Sequence, residues 1–480
     1  MIRVSNWLRS RSRFFSLSLT ILAVLTVAGG AVAQAGVPVF TVNIDNPSFR
    51  RLVAAVPALS GAADPELAKI ANEASAELSR LLDFSGLFNV MASAGYQEII
   101  KKSLKTQSGS LGLSQGLDGI DLNAWKANGI ESLTVGDVAR DGRDFVITLR
   151  TVDITMRKLM VGKKYSKVTA VQVKKVMARY ADRVLAAYTG KPGIFSSRLL
   201  FVGKAVRSSY KQVYLADFDG SNAEPITSAQ APHISPAFSR DGRFVTFTSF
   251  EDGNPDLFIY EIATGKKRKL SGRKGLNSGG FWSANNKLVA FTGSIEGDAD
   301  IYSTTPDGKR SRALIRGPGL DVDPAFSPDG KWLAFVSGRF GNPHIFRAEL
   351  KWDGDTDVRV LNDKRLTYAG WWNATPAWSP DSSKIAFAGF DRDINRFDVF
   401  LMNPDGTGLE RLTLRAGDNE HPSWSPNGQL IVFESSRIGT RDIKGTRQLF
   451  VMNRDGSNQR PLNTGLFETQ APVWGPPQEQ

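Results

Sequence analysis

Few residues in this chain have types and spacing suited to catalysis. Gly112–Gly116 reads GLSQG and matches G-x-S-x-G, the pattern that sets a nucleophilic serine on a tight strand-to-helix turn. That chemistry needs a strand before the turn, a helix after it, and a base and an acid later in the chain. The surroundings here are SGSLGLSQGLDG, a Gly/Ser-rich loop, and the histidines are His233, His344 and His421 alone. Three scattered histidines make no zinc motif. Asp353, Asp355 and Asp357 alternate, as do Asp391 and Asp393, but the ligand pattern and distal Glu of an EF-hand are missing. They read as solvated polar loops. No G-x-x-x-x-G-K-[ST] phosphate loop occurs, and the absence of cysteine excludes disulfides and thiolate metal sites. These residues predict no catalytic centre, no metal site and no cofactor.

What does recur is structural. Pro324–Phe335 reads PAFSPDGKWLAF, with near-copies at Pro236–Phe247, Gly280–Phe291, Pro376–Phe387 and Pro422–Phe433 and a truncated copy at Pro472–Trp474. This periodicity marks a repeat architecture. Each repeat carries four apolar anchors. The first is the aromatic of P-x-[FW]: Phe238, Trp282, Phe326, Trp378, Trp424 and Trp474. The second closes the next run: Phe247, Phe291, Phe335, Phe387 and Phe433. The third lies in runs such as DVFLMN: Tyr214, Phe258, Tyr302, Phe346, Phe400 and Phe450. The fourth is an aliphatic before a turn: Ile226, Leu270, Leu314, Leu366, Leu412 and Leu462. Asp-Gly between the first two anchors supplies the positive φ of a tight hairpin. Four short antiparallel strands per repeat describe a propeller blade. Phe201 in RLLFVGK supplies a sixth second anchor, and Pro472–Trp474 has a first anchor with nothing after it. Joining the two ends makes one blade. The sequence therefore predicts an all-β six-bladed propeller over 191–480, its closing blade shared by both ends of that region.

In a propeller the first strand of each blade lines the axis, and the loops entering it ring one mouth of the channel. Those loops end in His233-Ile234-Ser235, Asn277-Ser278-Gly279, Asp321-Val322-Asp323, Asn373-Ala374-Thr375, Asn419-Glu420-His421 and Thr469-Gln470-Ala471. The mouth candidates are His233, Ser235, Asn277, Asp321, Asp323, Asn373, Thr375, Asn419, Glu420, His421 and Thr469. Trp371 and Trp372, with Tyr368 in the same Gly-flanked loop, either pack on a neighbouring loop or form a contact patch, where aromatics supply most binding energy.

Ahead of the propeller, residues 1–35 read as a secretory signal peptide. Four arginines precede the apolar run Leu17–Val27, and small residues offer cleavage near Ala33 or Ala35. The run is too short for a full membrane span, so export to the periplasm with cleavage is expected. With no cysteine after the signal, a lipid anchor is not expected. The formal charge of +12 falls to +8 without those arginines. No nucleic-acid motif accompanies the charge, which suits an acidic protein partner or the anionic envelope. Residues 36–190 read as an α/β domain. Pro38–Ile44 alternates as a strand, Pro65–Asp83 has a helical apolar face with Asp64 as N-cap, Ile130–Val138 and Phe145–Val152 read as strands, and Thr169–Tyr188 as a long helix ended by Gly190 and Pro192.

An exported α/β domain followed by this propeller resembles the TolB family of the Tol–Pal envelope system. The N-domain phrases FSGLF (Phe84–Phe88), WKANGIESLTVG (Trp125–Gly136) and TGKPGIF (Thr189–Phe195) carry the resemblance more specifically than the SPDG turns. The family's A-H-R-x-x-D pattern has Ala178 in place of His, and Gly280 replaces one repeat Pro. The resemblance implies a non-enzymatic periplasmic scaffold that supports outer-membrane integrity and envelope constriction in division. It implies two partners: a peptidoglycan-associated lipoprotein (Pal) at the propeller mouth, and a TolA-like inner-membrane protein at the N-terminal segment holding Val37, Val39, Phe40, Val42 and Ile44. Its edge-strand character suits strand addition. It further implies a monomer outside the complex. The alternative is a periplasmic propeller enzyme or glycan binder.

Overall fold

The computed structural model of this chain describes residues 50–60, 64–96, 99, 120–295, 297–414, 417–437 and 446–477. The expected signal segment, the expected N-terminal partner segment with Val37, Val39, Phe40, Val42 and Ile44, the GLSQG stretch and residues 438–445 lie outside these residues.

Helix α1 (Pro65–Phe84) begins as its sequence predicts. The Asp64 carboxylate accepts from the Glu66 N–H at 2.8 Å, and Pro65 fills the first turn, where its missing N–H costs nothing. The periodic stripe Leu67, Ile70, Ala71, Ala74, Leu78, Leu81 and Leu82 is buried. Helix α2 spans Leu122–Ala127. The long helix reads as a 3₁₀ turn, Ala170–Gln172, running into α3 (Val173–Thr189), which Gly190 ends at φ 68°. Strands β1 (Leu52–Ala55), β2 (Phe88–Val90), β3 (Ser132–Asp141), β4 (Asp144–Asp153) and β5 (Lys158–Val168) form one sheet in the order β2-β1-β3-β4-β5. α1 and α3 cover one face, and Trp125 of α2 fills the other with Leu133, Val135 and Val152.

Six four-stranded antiparallel sheets follow. We number the in-line blades 1 to 5 by their inner strands, His233–Phe238, Asn277–Trp282, Asp321–Phe326, Trp372–Trp378 and Asn419–Trp424. The closing blade pairs Glu468–Pro477 from the C-terminal end with Ser197–Lys204 from the start, Thr469 opposite Gly203 and Trp474 opposite Leu199. The expected ring closure is thus present. The second and third anchors stack within blades: Phe247 on Phe258 at 5.9 Å between ring centroids, and Phe201 on Tyr214 at 5.8 Å. The first anchors are buried, and the Trp378 and Trp424 indole N–H groups donate to the Ala325 and Ala377 carbonyls of the preceding inner strands. One anchor is corrected: in blade 2 Ile315 is buried and Leu314 is half-buried against the same cluster. The stretch Lys351–Arg365 adds length to blade 3. It lengthens the outer hairpin of blade 3, His344–Trp352 against Val358–Arg365, and only its tip holds Asp353, Asp355 and Asp357.

The α/β unit and the propeller share an apolar cluster. It runs from α1 and α3 through Ile194 and Phe195 to Phe201, Phe218, Val432 and Trp474. Phe218 meets Phe84 and Phe195 edge-on at 5.0 Å each, Arg80 pairs with Asp219 at 2.5 Å, and Arg460 donates to the Phe84 carbonyl at 2.6 Å. The linker is held by one carboxylate. Asp182 on α3 accepts from the Phe195 and Ser196 N–H groups at 2.7 and 3.1 Å and from the Ser196 hydroxyl at 2.8 Å. A Cβ on Gly193 would lie 2.0 Å from that carboxylate, so the linker approaches this closely only as glycine. Asp182→Ala leaves these donors without their acceptor. We expect it to cost ~1–3 kcal/mol and to raise amide exchange across Ile194–Ser197. Unchanged exchange there would show that apolar contacts alone fix the linker.

Candidate functional site

Strand register separates the two faces of the ring. Ser197 pairs with Pro477 at one end of the closing blade and Lys204 with Glu468 at the other. The linker therefore enters on the face of the hairpin turns. Asp219, on a turn, and Arg460, at the start of an outer strand, hold the α/β unit at that same face. The face where chains enter the inner strands is the opposite one, and among the described residues no contact of the α/β unit reaches it.

At that mouth every inner strand does the same unusual thing. Its third entering residue takes a left-handed backbone: Ser235, Asp323, Thr375, His421 and Ala471 at φ 48–52°, with Gly279 of blade 2 at 67°. The register to the second strand slips at this point in all six blades. A bulge of this kind re-aims a side chain, and non-glycine residues in this conformation carry ~1–3 kcal/mol of strain each. The six residues line the central channel, a cavity of about 460 Å³ walled below by Phe238, Trp282, Phe326, Trp378 and Trp424. Arg240 spans its lower end from blade 1 to the Phe326 carbonyl of blade 3 at 2.8 Å.

The bulge divides the sequence-based mouth candidates. His233, Asn277, Asp321, Asn373, Asn419 and Thr469 are at most 3% exposed. In this structure they are buried and brace the wall of the ring. Asn277 donates to the Arg273 and Gly275 carbonyls, Asp321 pairs with Arg339 at 3.2 Å, Asn419 donates to Asp398 at 2.9 Å, and Thr469 accepts from the Leu449 N–H at 3.1 Å. The His233 ring meets Glu251 at 2.9 Å, and Asn373 meets the His344 ring at 2.9 Å. Burial lowers the His233 pKa more than Glu251 restores it.

Ser235, Asp323, Thr375 and His421 face the channel, and Glu420 stands beside them. The structure adds Glu434 and Arg447. Glu434, on the second strand of blade 5, is 1% exposed. It lies 3.2 Å from His421 Nδ1, an ion pair off the line of a good hydrogen bond. It accepts from the Ala471 N–H at 2.6 Å and contacts Arg447, which also pairs with Glu420 at 2.6 Å. Asp323 accepts from the Thr375 N–H at 3.2 Å. Burial alone would push the His421 pKa down. The charge of Glu434, helped by Glu420 and Asp323, more than reverses this and holds it at about 9. Burial would likewise raise Glu434, but the charges of His421 and Arg447 bring it down to about 2. Burial prevails at Asp323 and Glu420, whose pKa values rise. Glu420, His421 and Glu434 place ligand atoms within 4.8 Å of one another, close enough to share a cation. In this arrangement the Arg447 guanidinium and the His421 ring already supply the positive charge between them.

Glu434 was legible in one way that the candidate list did not use. It follows the second anchor, Phe433, where the other blades have Val202, Thr248, Thr292, Val336 and Ala388. A carboxylate at that repeat position is an outlier.

Beside the mouth, Tyr368, Trp371 and Trp372 are 71%, 41% and 44% exposed. Trp371 is both packed and accessible, since the Arg392 guanidinium lies 3.7 Å over its ring. Tyr368, Trp371, Phe390, Phe400 and Leu409 line a second cavity of about 600 Å³.

These features define a two-domain β-propeller protein whose site is a charged, bulge-lined channel mouth flanked by an aromatic loop. Residues 186–478 match the family described as TolB beta propeller domain, and the chain belongs to that family. It is similar to the Tol-Pal system protein TolB of Hydrogenovibrio crunogenus, 35% identical over 75% of this chain and 80% of that relative. It is similar as well to the Tol-Pal system protein TolB of Desulfosudis oleivorans, 35% identical over 50% of this chain; that match spans only about half of the relative's length, 52%. Among solved structures it is similar to TolB from Acinetobacter baumannii, with a TM-score of 0.72 and 25% identity over 89% of this chain and 97% of that one.

Proposed function

We propose that this chain is a non-enzymatic periplasmic scaffold of the Tol-Pal system that binds a peptidoglycan-associated lipoprotein at the propeller mouth. The observation that carries the reading is the division of labour between the two faces. The α/β unit occupies the turn face, which leaves the mouth with its strained ring, its Glu420–His421–Glu434–Arg447 cluster and its aromatic loop open to a partner. Stored strain and buried charge are costs that a folded domain meets without benefit unless the positions are used. Support for the system comes from family membership and from relatives that carry the system's name. By the same reading the N-terminal segment around Val37–Ile44 engages a TolA-like inner-membrane protein, residues 1–35 direct export, and the complex serves outer-membrane integrity and division.

The test is a titration of the soluble domain of the organism's peptidoglycan-associated lipoprotein against the mature chain. We expect the Trp371→Ala/Trp372→Ala variant to bind about thirtyfold or more weakly, the effect of losing a central aromatic contact. Wild-type affinity in that variant would remove the aromatic loop from the interface. Failure of the unmodified chain to bind the lipoprotein, with capture of glycan fragments instead, would replace the scaffold by the glycan-binding alternative.

A further inference from the structure

We propose that β5 of the α/β unit is a docking edge for an acidic, extended polypeptide segment. Among the described residues β5 ends its sheet, so one row of its backbone N–H and C=O groups has no neighbouring strand there. At eleven residues it is the longest strand of that sheet; its ladder slips near both ends, with Lys167 at φ 55°, and the regular stretch Val161–Tyr165 between the slips is the part that would template an added strand. The charge around it is one-sided. Ile154–Arg183 holds nine Lys and Arg residues against the single carboxylate of Asp182, which is committed to the linker. Lys158, Lys163, Lys164 and Lys167 on the strand, and Lys174 and Lys175 on the adjoining helix α3, are all exposed. None of the nine forms an ion pair with a described carboxylate, whereas cations elsewhere on the chain commonly do. Met156 and Val171, 38% and 90% exposed, flank the strand as apolar contacts.

Lysines on an edge also serve to block self-association. Two copies of β5 side by side would set lysine against lysine, which is unfavourable. That block is selective by sign. It rejects a second copy of this edge but favours a strand whose outward residues are acidic, so specificity arises from repulsion and attraction together. Adjacent Lys163 and Lys164 point to opposite faces of the sheet, so an alternating segment, whose acidic side chains all lie on one face, would meet the cations of that face and set its apolar side chains on the other. A flat anionic membrane would reach the side chains but leave the unpaired backbone row unused.

The probe is a fluorescein-labelled peptide of alternating glutamate and valine, about as long as the edge, added to the full mature chain. We expect saturable binding that weakens as salt rises, with slowed amide exchange confined to Lys158–Val168. The exposed-site variant Lys163→Glu/Lys164→Glu/Lys167→Glu should bind about tenfold or more weakly, as several exposed ion pairs together allow. The milder Lys→Gln triple should fall between, both with unchanged melting temperature. A role limited to blocking self-association predicts no peptide binding, and that result overturns the proposal. So does binding without protection of β5, equal binding of an alternating lysine–valine peptide, or charge-dependent capture by phosphatidylglycerol vesicles without peptide binding.

Discussion

A chain cut before Glu468 is expected to lose the cooperative melting of the propeller and to elute as an expanded or associating species. The removed strand is the inner strand of the closing blade. Without it Ser197–Lys204 becomes a free edge in the middle of what was a ring, and blade 5 loses its neighbour. The closing blade is left with three strands and a newly exposed edge, and such edges pair with other chains. The effect extends to the α/β unit, because Trp474 belongs to the same apolar cluster as α1 and α3. Trp474→Ala separates packing from closure. The indole is 7% exposed, donates to the Ser197 hydroxyl at 2.8 Å, and its backbone N–H donates to Ser423 at 3.0 Å. The substitution keeps the strand and removes the wedge, at a cost of ~3–5 kcal/mol. The variant should still melt in one transition at a lower temperature, read by circular dichroism and gel filtration. A truncated chain that melts like wild type would mean that the blades stand without closure.

The blades were readable because four anchors recur per repeat, and each must be buried in the same layer for neighbouring sheets to pack. The same regularity failed where geometry departs from alternation without a change of composition. In the triplet Asn419-Glu420-His421 strict alternation sends the first and third residues to one side. The left-handed turn at His421 breaks that rule and leaves Asn419 in the wall while His421 faces the channel. Nothing in the residue types announces the turn, since Ser, Asp, Thr, His and Ala all occupy it. β5 went unread for a different reason. Its lysines mask the apolar period, and only Val161 and Val168 are fully buried. Glu434 was hidden by its run, LIVFES, which reads as an ordinary core strand until it is laid beside the other blades. Anchors that serve the fold are repeated and therefore visible; residues that serve one site occur once.

The charged cluster at the mouth sets the second large effect, and its sign follows from the two opposed shifts. Glu434, held at about 2 against an unfolded value of ~4.3, contributes stability that is complete above the unfolded value and lost as pH falls through about 2. His421, held at about 9 against an ordinary 6.5, contributes stability that is complete below 6.5 and lost as pH rises through about 9. Both contributions are complete only between roughly pH 4.5 and 6.5. Glu434→Gln keeps the shape and an acceptor for the Ala471 N–H but removes the charge. Arg447 retains Glu420, whereas His421 keeps its burial and loses its principal counter-charge. Glu434 is buried but the His421 side chain is 41% exposed, so solvent screens part of the loss, and the variant should be destabilised by ~1 kcal/mol near pH 6. Its alkaline loss of stability should begin at lower pH than in wild type. The direct measurement is an NMR titration of the His421 ring, whose midpoint should fall from about 9 toward the ordinary histidine value or below it. A midpoint that stays near 9 in the glutamine variant would assign the shift to Glu420 and Asp323, and Glu434 would then brace the Ala471 backbone without governing charge at the mouth.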